Sequence, residues 1–161
     1  MCGLPFAGKS TLARQIAHEL NLPVVSLDSI NDERGLGFDG QAIAPQDWTE
    51  TYEESYRRAE RYLEAGSSVV YDATNHLRHE RERLRTIAIR NNCRAIFVYV
   101  KVTAAESHRR LLENRRQVSR NDVRDDDFLL VARSFEAPEG ELGVIEYDSA
   151  MPTGAWIAEN L

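Results

Sequence analysis

The sequence contains little lysine and little cysteine, and it has no long apolar run. Lysine supplies only two of its 20 basic residues, Lys9 and Lys101. The two cysteines, Cys2 and Cys93, form no spacing motif, which argues against a disulfide framework. No apolar run approaches the roughly 20 residues that a membrane helix needs, and no signal peptide precedes the first motif. These absences favour a reducing, cytoplasmic setting without a membrane partner.

An excess of positive charge is also absent. The net charge of −6 disfavours nonspecific attraction to a polyanion such as nucleic acid. A length of 161 residues is typical of one domain, which we expect to span residues 1–161. Arginines nevertheless cluster within one short stretch, at Arg109, Arg110, Arg115, Arg116, Arg120 and Arg124.

Short apolar runs alternate with longer helical periods along the chain. This order predicts an α/β fold, a parallel sheet flanked by helices. Strands are expected over residues 22–27, 68–71, 95–102 and 143–147, and helices over 10–20, 45–66, 76–91, 104–114, 125–135 and 152–161. We expect Thr74 or Asn75 to cap the helix that starts at residue 76. Only Met1 and Cys2 precede Gly3, which favours a truncated first strand or a misplaced start; the alternative is a sheet with a very short central strand.

The segment before the first helix matches the P-loop, or Walker A, pattern. It reads Gly3-Leu4-Pro5-Phe6-Ala7-Gly8-Lys9-Ser10. Its backbone N–H groups and the positive end of the following helix would surround phosphate oxygens. Lys9 would reach the β- and γ-phosphates, and the Ser10 hydroxyl would ligate Mg²⁺. We therefore expect ATP and Mg²⁺ to bind here, with Thr11 among the nucleotide contacts.

Two aspartates stand at the ends of apolar strands. Asp28 follows the run 22–27, and Asp72 follows the run 68–71. Ligands of open parallel sheets bind beyond the carboxyl ends of the strands, so both carboxylates would face the nucleotide. One would accept the proton of an incoming hydroxyl, and the other would hold Mg²⁺ directly or through water. The alternative for each aspartate is that it caps a turn or helix.

With these motifs in place, the sequence resembles the family of small P-loop kinases that includes polynucleotide 5′-hydroxyl kinases and zeta-toxin kinases. The resemblance covers nearly the whole chain. Its matching features are the P-loop, Val-Val-Ser-Leu-Asp28, Val-Val-Tyr-Asp72-Ala-Thr74-Asn75, Arg81-Glu-Arg83-Leu-Arg85, the arginine-rich segment and Phe135-Glu136-Ala-Pro138. It implies a phosphotransferase in which Asp28 is the general base, and it implies that Asp72, Thr74 and Asn75 line the acceptor site. Asp72 is also our second candidate Mg²⁺ ligand.

The sequence departs from polynucleotide kinases at one position. Those enzymes carry an arginine three residues after the base, where it contacts substrate phosphate, and this chain has Asn31 there, with Arg34 further on. Nucleic-acid ends are therefore disfavoured as substrates.

The resemblance also places lid arginines over the triphosphate, within the arginine-rich segment. Phosphoryl transfer needs cations there as charge moves toward the leaving oxygen. The candidates are Arg110, Arg115, Arg116 and Arg120, and we expect Arg116 and Arg120 to be catalytic. The alternative is a solvated helix face.

Other polar and aromatic side chains are expected to be structural. Trp48, Tyr52 and Tyr56 recur at helical spacing, which indicates core packing or one wall of the acceptor pocket. Arg81 and its neighbouring arginines alternate with glutamates, which is typical of a solvated face. His76 is not expected to act.

The leading hypothesis is a kinase that moves the γ-phosphoryl group of ATP to a hydroxyl, with a small molecule favoured over a polynucleotide 5′ end. The alternative is a nucleotide-binding switch that hydrolyses ATP slowly and has no dedicated acceptor. The sequence leaves open the identity of the acceptor, the oligomeric state and the preference between ATP and GTP.

Overall fold

The computed structural model describes residues 1–37, 41–118, 121–148 and 151–161. Helices and strands follow one another largely as the sequence predicts, except that residues 27–33 form a helix that the sequence did not predict. Their order is α1 Lys9–Leu20, β1 Val24–Ser26, α2 Leu27–Glu33, α3 Pro45–Glu64, β2 Val70–Asp72, α4 Arg78–Arg90, β3 Phe97–Tyr99, α5 Ala104–Arg116, α6 Asp125–Ser134, β4 Val144–Glu146 and α7 Thr153–Asn160. Among these residues, no helix is long and apolar enough to cross a membrane.

All strand pairings among the described residues are parallel. Strand β1 pairs with β2, and β3 pairs with β4. The segment Met1–Gly3 joins these two pairs, since the amino group of Met1 donates to the Tyr71 carbonyl at 2.7 Å and the Cys2 N–H donates to the Val98 carbonyl at 2.9 Å. The residues before the P-loop therefore occupy the centre of the sheet, although Cys2 contributes only an isolated bridge.

Helices cover both faces of this sheet. Side chains of successive strand residues point to opposite faces, so neighbours on one strand enter different clusters. Val70 packs with Ile16 of α1 and Trp156 of α7, whereas Tyr71 packs with Tyr56 of α3 and Ile87 of α4. This three-layer arrangement leaves the carboxyl ends of the strands uncovered, which is where ligands bind in such sheets.

The start of α4 differs from the sequence prediction. We expected Thr74 or Asn75 to cap a helix beginning at residue 76, but α4 begins at Arg78. The start of α4 is capped by a residue of its own first turn, because the Leu77 N–H donates to the Glu80 carboxylate at 3.0 Å. Residues 74–76 therefore do not cap α4 and lie in the segment between β2 and that helix.

The prediction of a solvated face is also wrong for Arg81. The Arg81 side chain is fully buried, and two of its nitrogens donate to the Glu141 carboxylate at 2.6 and 3.0 Å. It also donates to the Asn75 carbonyl at 2.7 Å. Arg81 therefore links α4 to the segment of Asn75 and to the segment of Glu141.

Candidate active site

The phosphate-binding loop leads from the central strand segment into α1. Gly8 precedes the helix with a φ of 105°, a conformation that favours glycine, and α1 begins at Lys9. No side chain caps this end of α1, and its first turn contains no acidic residue. The positive end of the helix dipole is thus unopposed by a local carboxylate, which suits the binding of phosphate groups.

Side chains hold the loop in shape through its carbonyl oxygens. The buried ammonium of Lys9 donates to the Leu4 carbonyl at 2.7 Å. From α5, the buried Ser107 hydroxyl donates to the Pro5 carbonyl. The loop is therefore organised by its own helix and by α5 before a phosphate binds, which lowers the cost of ordering it.

The arginine that contacts the loop is Arg110. Its Nη1 donates to the Ala7 carbonyl at 3.1 Å and lies 4.0 Å from the position of a Cβ built on Gly8. Arg116, which we expected to be catalytic, is exposed and does not line the cavity beside the loop. Arg120, the second expected catalytic arginine, lies outside the described residues. Arg116 thus lies at the surface in this structure and its catalytic role stays a prediction, whereas among the described arginines Arg110 contacts the loop.

A cavity of about 380 Å³ opens beside the P-loop. This volume falls within the range of small-molecule sites, about 300–1,000 Å³. Lys9 and Ser10 line its phosphate end. Residues of α2, of α3 and of the segment 121–131 form the other walls. The cavity therefore continues from the P-loop to a region where a second molecule could bind.

Both strand-end aspartates line this cavity, as the sequence predicts. Asp72 is the last residue of β2 and is 8% exposed, while Asp28 lies in the first turn of α2 and is exposed. The capping role considered for Asp28 belongs to Ser26, whose hydroxyl accepts from the Ser29 N–H at 3.4 Å. The chain thus uses another side chain to cap α2 and leaves the Asp28 carboxylate on the cavity wall.

The oxygen atoms at the phosphate end fit a magnesium ion. Ser10 and Asp72, the two ligands expected from the sequence, both line the cavity. Within the described part of the chain, no three His, Cys, Asp or Glu side chains form a metal cluster. Sparse protein coordination suits Mg²⁺, which usually keeps several waters and binds through one or two protein oxygens plus the substrate phosphates.

Thr74 and Asn75, both expected to line the acceptor site, have different positions. Thr74 lines the cavity, but Asn75 does not. The Asn75 side chain is fully buried, and its amide donates to the Met1 carbonyl at 2.7 Å. Asn75 also has a positive φ of 44°, which asparagine tolerates better than most residues. In this structure Asn75 therefore anchors the central strand segment and offers no contact to an acceptor.

Three side chains that we expected to be structural line the wall opposite the P-loop. Trp48 and Tyr52 of α3 have ring centroids 6.3 Å apart, and both face the cavity together with His76. Their helical spacing was visible in the sequence, but it also fits core packing, so it could not distinguish the two roles. In the structure, Trp48 and Tyr52 form part of the cavity wall.

A buried carboxylate lies within this wall. Glu80 accepts from the Leu77 N–H and lies 3.4 Å from His76 Nδ1. Burial acts to raise the pKa of the Glu80 carboxyl, but the contacts with His76, the Leu77 N–H and the Tyr52 hydroxyl outweigh burial and hold that pKa below its ordinary value. Burial, reinforced by the Glu80 charge, raises the pKa of Tyr52, so the phenol keeps its proton. The wall thus holds one negative charge among aromatic rings.

The segment after α5 closes the remaining side of the cavity. Phe128 of α6 packs against Phe6 of the P-loop and Leu111 of α5. Across the cavity mouth, the Asn121 amide donates to the Asp32 carboxylate at 3.1 Å. Apolar packing therefore couples the position of this segment to the phosphate-binding loop, a link that the arginine-rich sequence pattern did not indicate.

Arg115, another candidate lid arginine, stabilises the turn between α5 and α6. Its guanidinium donates to Asp122 at 3.0 Å and lies 2.9 Å from Asp125. Both partners belong to the segment that leads into α6 or to its first turn. Arg115 is therefore a structural link between these two helices.

Comparison with models of protein families identifies the family of this chain. The profile of the AAA domain family matches residues 1–138, most of the chain. Comparison with curated protein sequences finds no significant match.

Several solved structures share the fold over nearly the whole chain. A putative kinase from Chloroflexus aurantiacus has a TM-score of 0.73 and 20% identity, covering 98% of this chain and 91% of its own. A gluconokinase from Sinorhizobium meliloti 1021 has a TM-score of 0.69 and 19% identity, with coverages of 99% and 86%. Kti12 from Chaetomium thermophilum, solved with ADP-AlF3, has a TM-score of 0.72 and 18% identity, with coverages of 98% and 94%. At these identities the likeness shows a common fold, the α/β fold of P-loop kinases.

Proposed function

Since this chain belongs to the AAA domain family, we propose that it is a P-loop kinase, a single domain over residues 1–161 that transfers the γ-phosphoryl group of ATP to a hydroxyl of a small molecule. The observation that carries this proposal is the continuity of one cavity. The cavity runs from Lys9 and Ser10 at the phosphate end, past Asp28, to the aromatic wall of α3. A kinase needs both halves of such a space, because the acceptor must meet the terminal phosphate in line.

Each residue on this path has a role in the proposed transfer. Lys9 places its ammonium beside the terminal phosphates, and the N-terminus of α1 adds its dipole. Asp28 accepts or orients the proton of the acceptor hydroxyl from the first turn of α2. Ser10 and Asp72 would hold Mg²⁺, which when bound neutralises charge on the transferring phosphoryl group. Arg110 fixes the loop from outside through the Ala7 carbonyl.

Structural relatives support phosphoryl transfer in general and leave the acceptor open. They include a gluconokinase and an APS kinase from Mycobacterium tuberculosis solved with AMPPNP and APS. The gluconokinase and the APS kinase are named for chemically different acceptors, so the common element is the nucleotide half of the site. A nucleotide switch without an acceptor has no need of Asp28 and an aromatic wall beside an open pocket, which favours a kinase for this chain.

Substitution of Asp28 tests the proposed base. We expect Asp28→Asn to lower acceptor-dependent ADP release by about 100-fold or more, because removing a general base typically costs 10²–10⁴ in rate. The affinity for ATP·Mg²⁺, measured by calorimetry, should stay within about threefold, because Asp28 is not part of the phosphate-binding loop. Glu33→Gln on the same helix is the matched control, since Glu33 pairs with Arg58 on the surface and does not line the cavity.

These measurements distinguish a wrong assignment of the base from a wrong assignment of the function. Near-full turnover of the Asp28→Asn protein would show that another group activates the hydroxyl. Steady ATP consumption that no member of a metabolite library stimulates would instead favour the nucleotide switch. A wild-type protein that fails to bind ATP·Mg²⁺ would remove the basis of the proposal altogether.

A further inference from the structure

The wall of the cavity carries more negative than positive groups. Among the described residues, the carboxylates on the cavity wall are Asp28, Asp32, Asp72, Glu80, Asp122 and Asp127, whereas the cations are Lys9 and Arg124. A cleft lined by one sign of charge concentrates its field and attracts ligands of the opposite sign. The charge of the cavity therefore bears directly on the charge of the acceptor.

Neither cation is placed to receive an anionic acceptor. Lys9 lies within the P-loop and is assigned to the phosphates, and Arg124 lies 3.8 Å from Asp126 on its own segment. Among the carboxylates, Asp122 is balanced by Arg115.

The proposed phosphoryl transfer uses Asp28 and Asp72. The other carboxylates on the cavity wall are then Asp32, Asp127 and the buried Glu80. In the part of the chain that the structure describes, none of these three has an arginine or lysine within 4.0 Å; Glu80 lies 3.4 Å from His76, and Asp32 accepts from the Asn121 amide.

Arg34, two residues after Asp32, is already engaged by residues of α3. Arg34, at the end of α2, donates to Thr51 at 2.6 Å and contacts the Asp47 and Glu50 carboxylates at 3.3 and 2.5 Å. Asn31, which lines the cavity, accepts from the Thr51 hydroxyl at 2.7 Å. Among the residues that the structure describes, a carboxylate, sulfate or phosphate on the acceptor would therefore find no uncommitted guanidinium on this wall, although guanidinium groups usually bind such anions.

The same wall suits an apolar body that carries a positive charge. Trp48 and Tyr52 line the cavity with ring centroids 6.3 Å apart, and the Glu80 carboxylate, which also lines the cavity, contacts the Tyr52 hydroxyl. Aromatic faces attract cations through their quadrupoles, and the attraction grows when the site is shielded from water. The negative charge of Glu80, next to the Tyr52 hydroxyl, adds electrostatic attraction for an ammonium group in the cavity.

We propose that the acceptor of this kinase is an amine-bearing alcohol with an apolar or aromatic body. Its hydroxyl is directed toward Asp28, and its ammonium lies in the field of Asp32, Glu80 and Asp127 against Trp48 and Tyr52. This inference rests on the proposed kinase function and specifies the chemical class of its second substrate.

Three alcohols of one skeleton and different charge test the inference. The probes are para-(aminomethyl)benzyl alcohol, para-methylbenzyl alcohol and para-(hydroxymethyl)benzoate, which carry positive, zero and negative charge. Their binding is measured by calorimetry on the full chain saturated with AMPPNP·Mg²⁺, at low and at physiological ionic strength. We expect the amine to bind about tenfold or more tightly than the benzoate at low salt, with the neutral alcohol between them, and we expect salt to narrow the difference.

Removing charge from the wall supplies the second readout. The double variant Asp32→Asn, Asp127→Asn should reduce the preference for the amine over the benzoate at least about threefold and leave the affinity for the neutral alcohol unchanged. The matched control is Glu64→Gln, an exposed carboxylate at the end of α3 that does not line the cavity. The control should retain the full preference.

Several results would overturn the inference. They are equal affinities for the three probes, tighter binding of the benzoate, no measurable binding of the amine, or an unchanged preference in the double variant. Each result concerns the acceptor alone, because AMPPNP·Mg²⁺ binding is measured first on the same protein. If AMPPNP·Mg²⁺ does not bind, the proposed kinase function is wrong; this result is distinguishable from a failure of the acceptor inference alone.

Discussion

Gly3 lies where the central strand segment turns into the phosphate-binding loop. Its φ of 144° is a conformation that side-chain-bearing residues rarely adopt. A Cβ at this position would lie 2.6 Å from the Val100 carbonyl oxygen, which belongs to the neighbouring chain segment and has little room to move. The P-loop pattern requires glycine here for both reasons, the backbone angle and the close approach.

We expect Gly3→Ala to lower the free energy of unfolding by about 2–4 kcal/mol, because backbone strain and overpacking both act there. Urea denaturation followed by circular dichroism measures this change. Gly154→Ala is the control, since Gly154 lies in α7, where a Cβ would have no atom within 4 Å, and it should change stability by less than about 1 kcal/mol. Equal effects of the two substitutions would contradict the role assigned to Gly3.

Adjacent arginines on α5 have different environments. Arg109 is exposed and forms ion pairs with Glu106 and Glu113 on its own helix. Arg110, one residue later, reaches the P-loop and also pairs with Glu106 at 2.7 Å. Because successive helical positions point in directions about 100° apart, one residue decides whether an arginine meets the loop or the solvent.

This pair of arginines provides a second prediction. Arg110→Ala should weaken ATP·Mg²⁺ binding or turnover by about tenfold to a hundredfold, because a charge-assisted hydrogen bond to the loop contributes about 1.5–3 kcal/mol. Arg109→Ala should leave both unchanged, since exposed ion pairs contribute about 0–1 kcal/mol. Fluorescent nucleotide titration and steady-state kinetics check both variants. An inactive Arg109→Ala protein with an active Arg110→Ala protein would reverse the assignment.

At the scale of elements, a buried ion pair joins α4 to the segment before β4. Arg81 is fully buried and binds the Glu141 carboxylate through two nitrogens, while Arg85 reaches the same carboxylate at 3.1 Å. The hydrogen bond from Arg81 holds the pKa of Glu141 below its ordinary value, with Arg85 adding to the effect. Removing one partner of such a pair leaves a buried charge uncompensated.

We expect Glu141→Gln to cost about 3–5 kcal/mol of stability near neutral pH, measured by urea denaturation. The effect should depend on pH in a fixed direction. Because the folded-state pKa of Glu141 is depressed, its contribution is complete above the unfolded-state pKa of about 4.3 and is lost as pH falls through the lower folded-state value. The difference between wild type and variant should therefore shrink below about pH 4. A difference that stays constant down to about pH 2 would indicate that the charge of Glu141 is not its source.

At the scale of the whole molecule, the sheet, the P-loop and the segment after α5 form one connected unit around the cavity. The central strand segment is held by Asn75, the loop by Ser107 and Arg110, and the later segment by Phe128 against Phe6. A ligand that binds this cavity in the folded state alone must raise the stability of the entire fold.

Nucleotide binding should therefore appear as thermal stabilisation. At a concentration about 100 times its dissociation constant, ATP·Mg²⁺ should add about 2.7 kcal/mol, which corresponds to a Tm increase of about 5–10 °C for a chain of this size. Lys9→Ala should abolish transfer and most of this increase. Lys101→Ala is the natural control, because Lys101 is the other lysine of the sequence and forms surface contacts with Glu139 and Glu146. Equal Tm increases in the two variants would exclude Lys9 from the phosphate site.

The features that the sequence predicted correctly depend on short stretches of chain. Apolar periodicity located the helices and strands, and the loop 3–10 was identified by spacing alone. The parallel sheet also placed Asp28 and Asp72 on one cavity, because strand ends meet at a common edge whatever the details of packing.

The remaining features depend on how distant segments approach each other. Packing buried Asn75 and Arg81, brought Arg110 to the loop while Arg116 stayed exposed, and assembled Tyr52 and Glu80 into one wall. The physical reason is that composition and spacing determine which way the chain runs, whereas side-chain direction and burial arise only when helices dock on the sheet. The sequence by itself thus determined the fold class and the phosphate-binding loop, and the tertiary structure decided which side chains line the cavity.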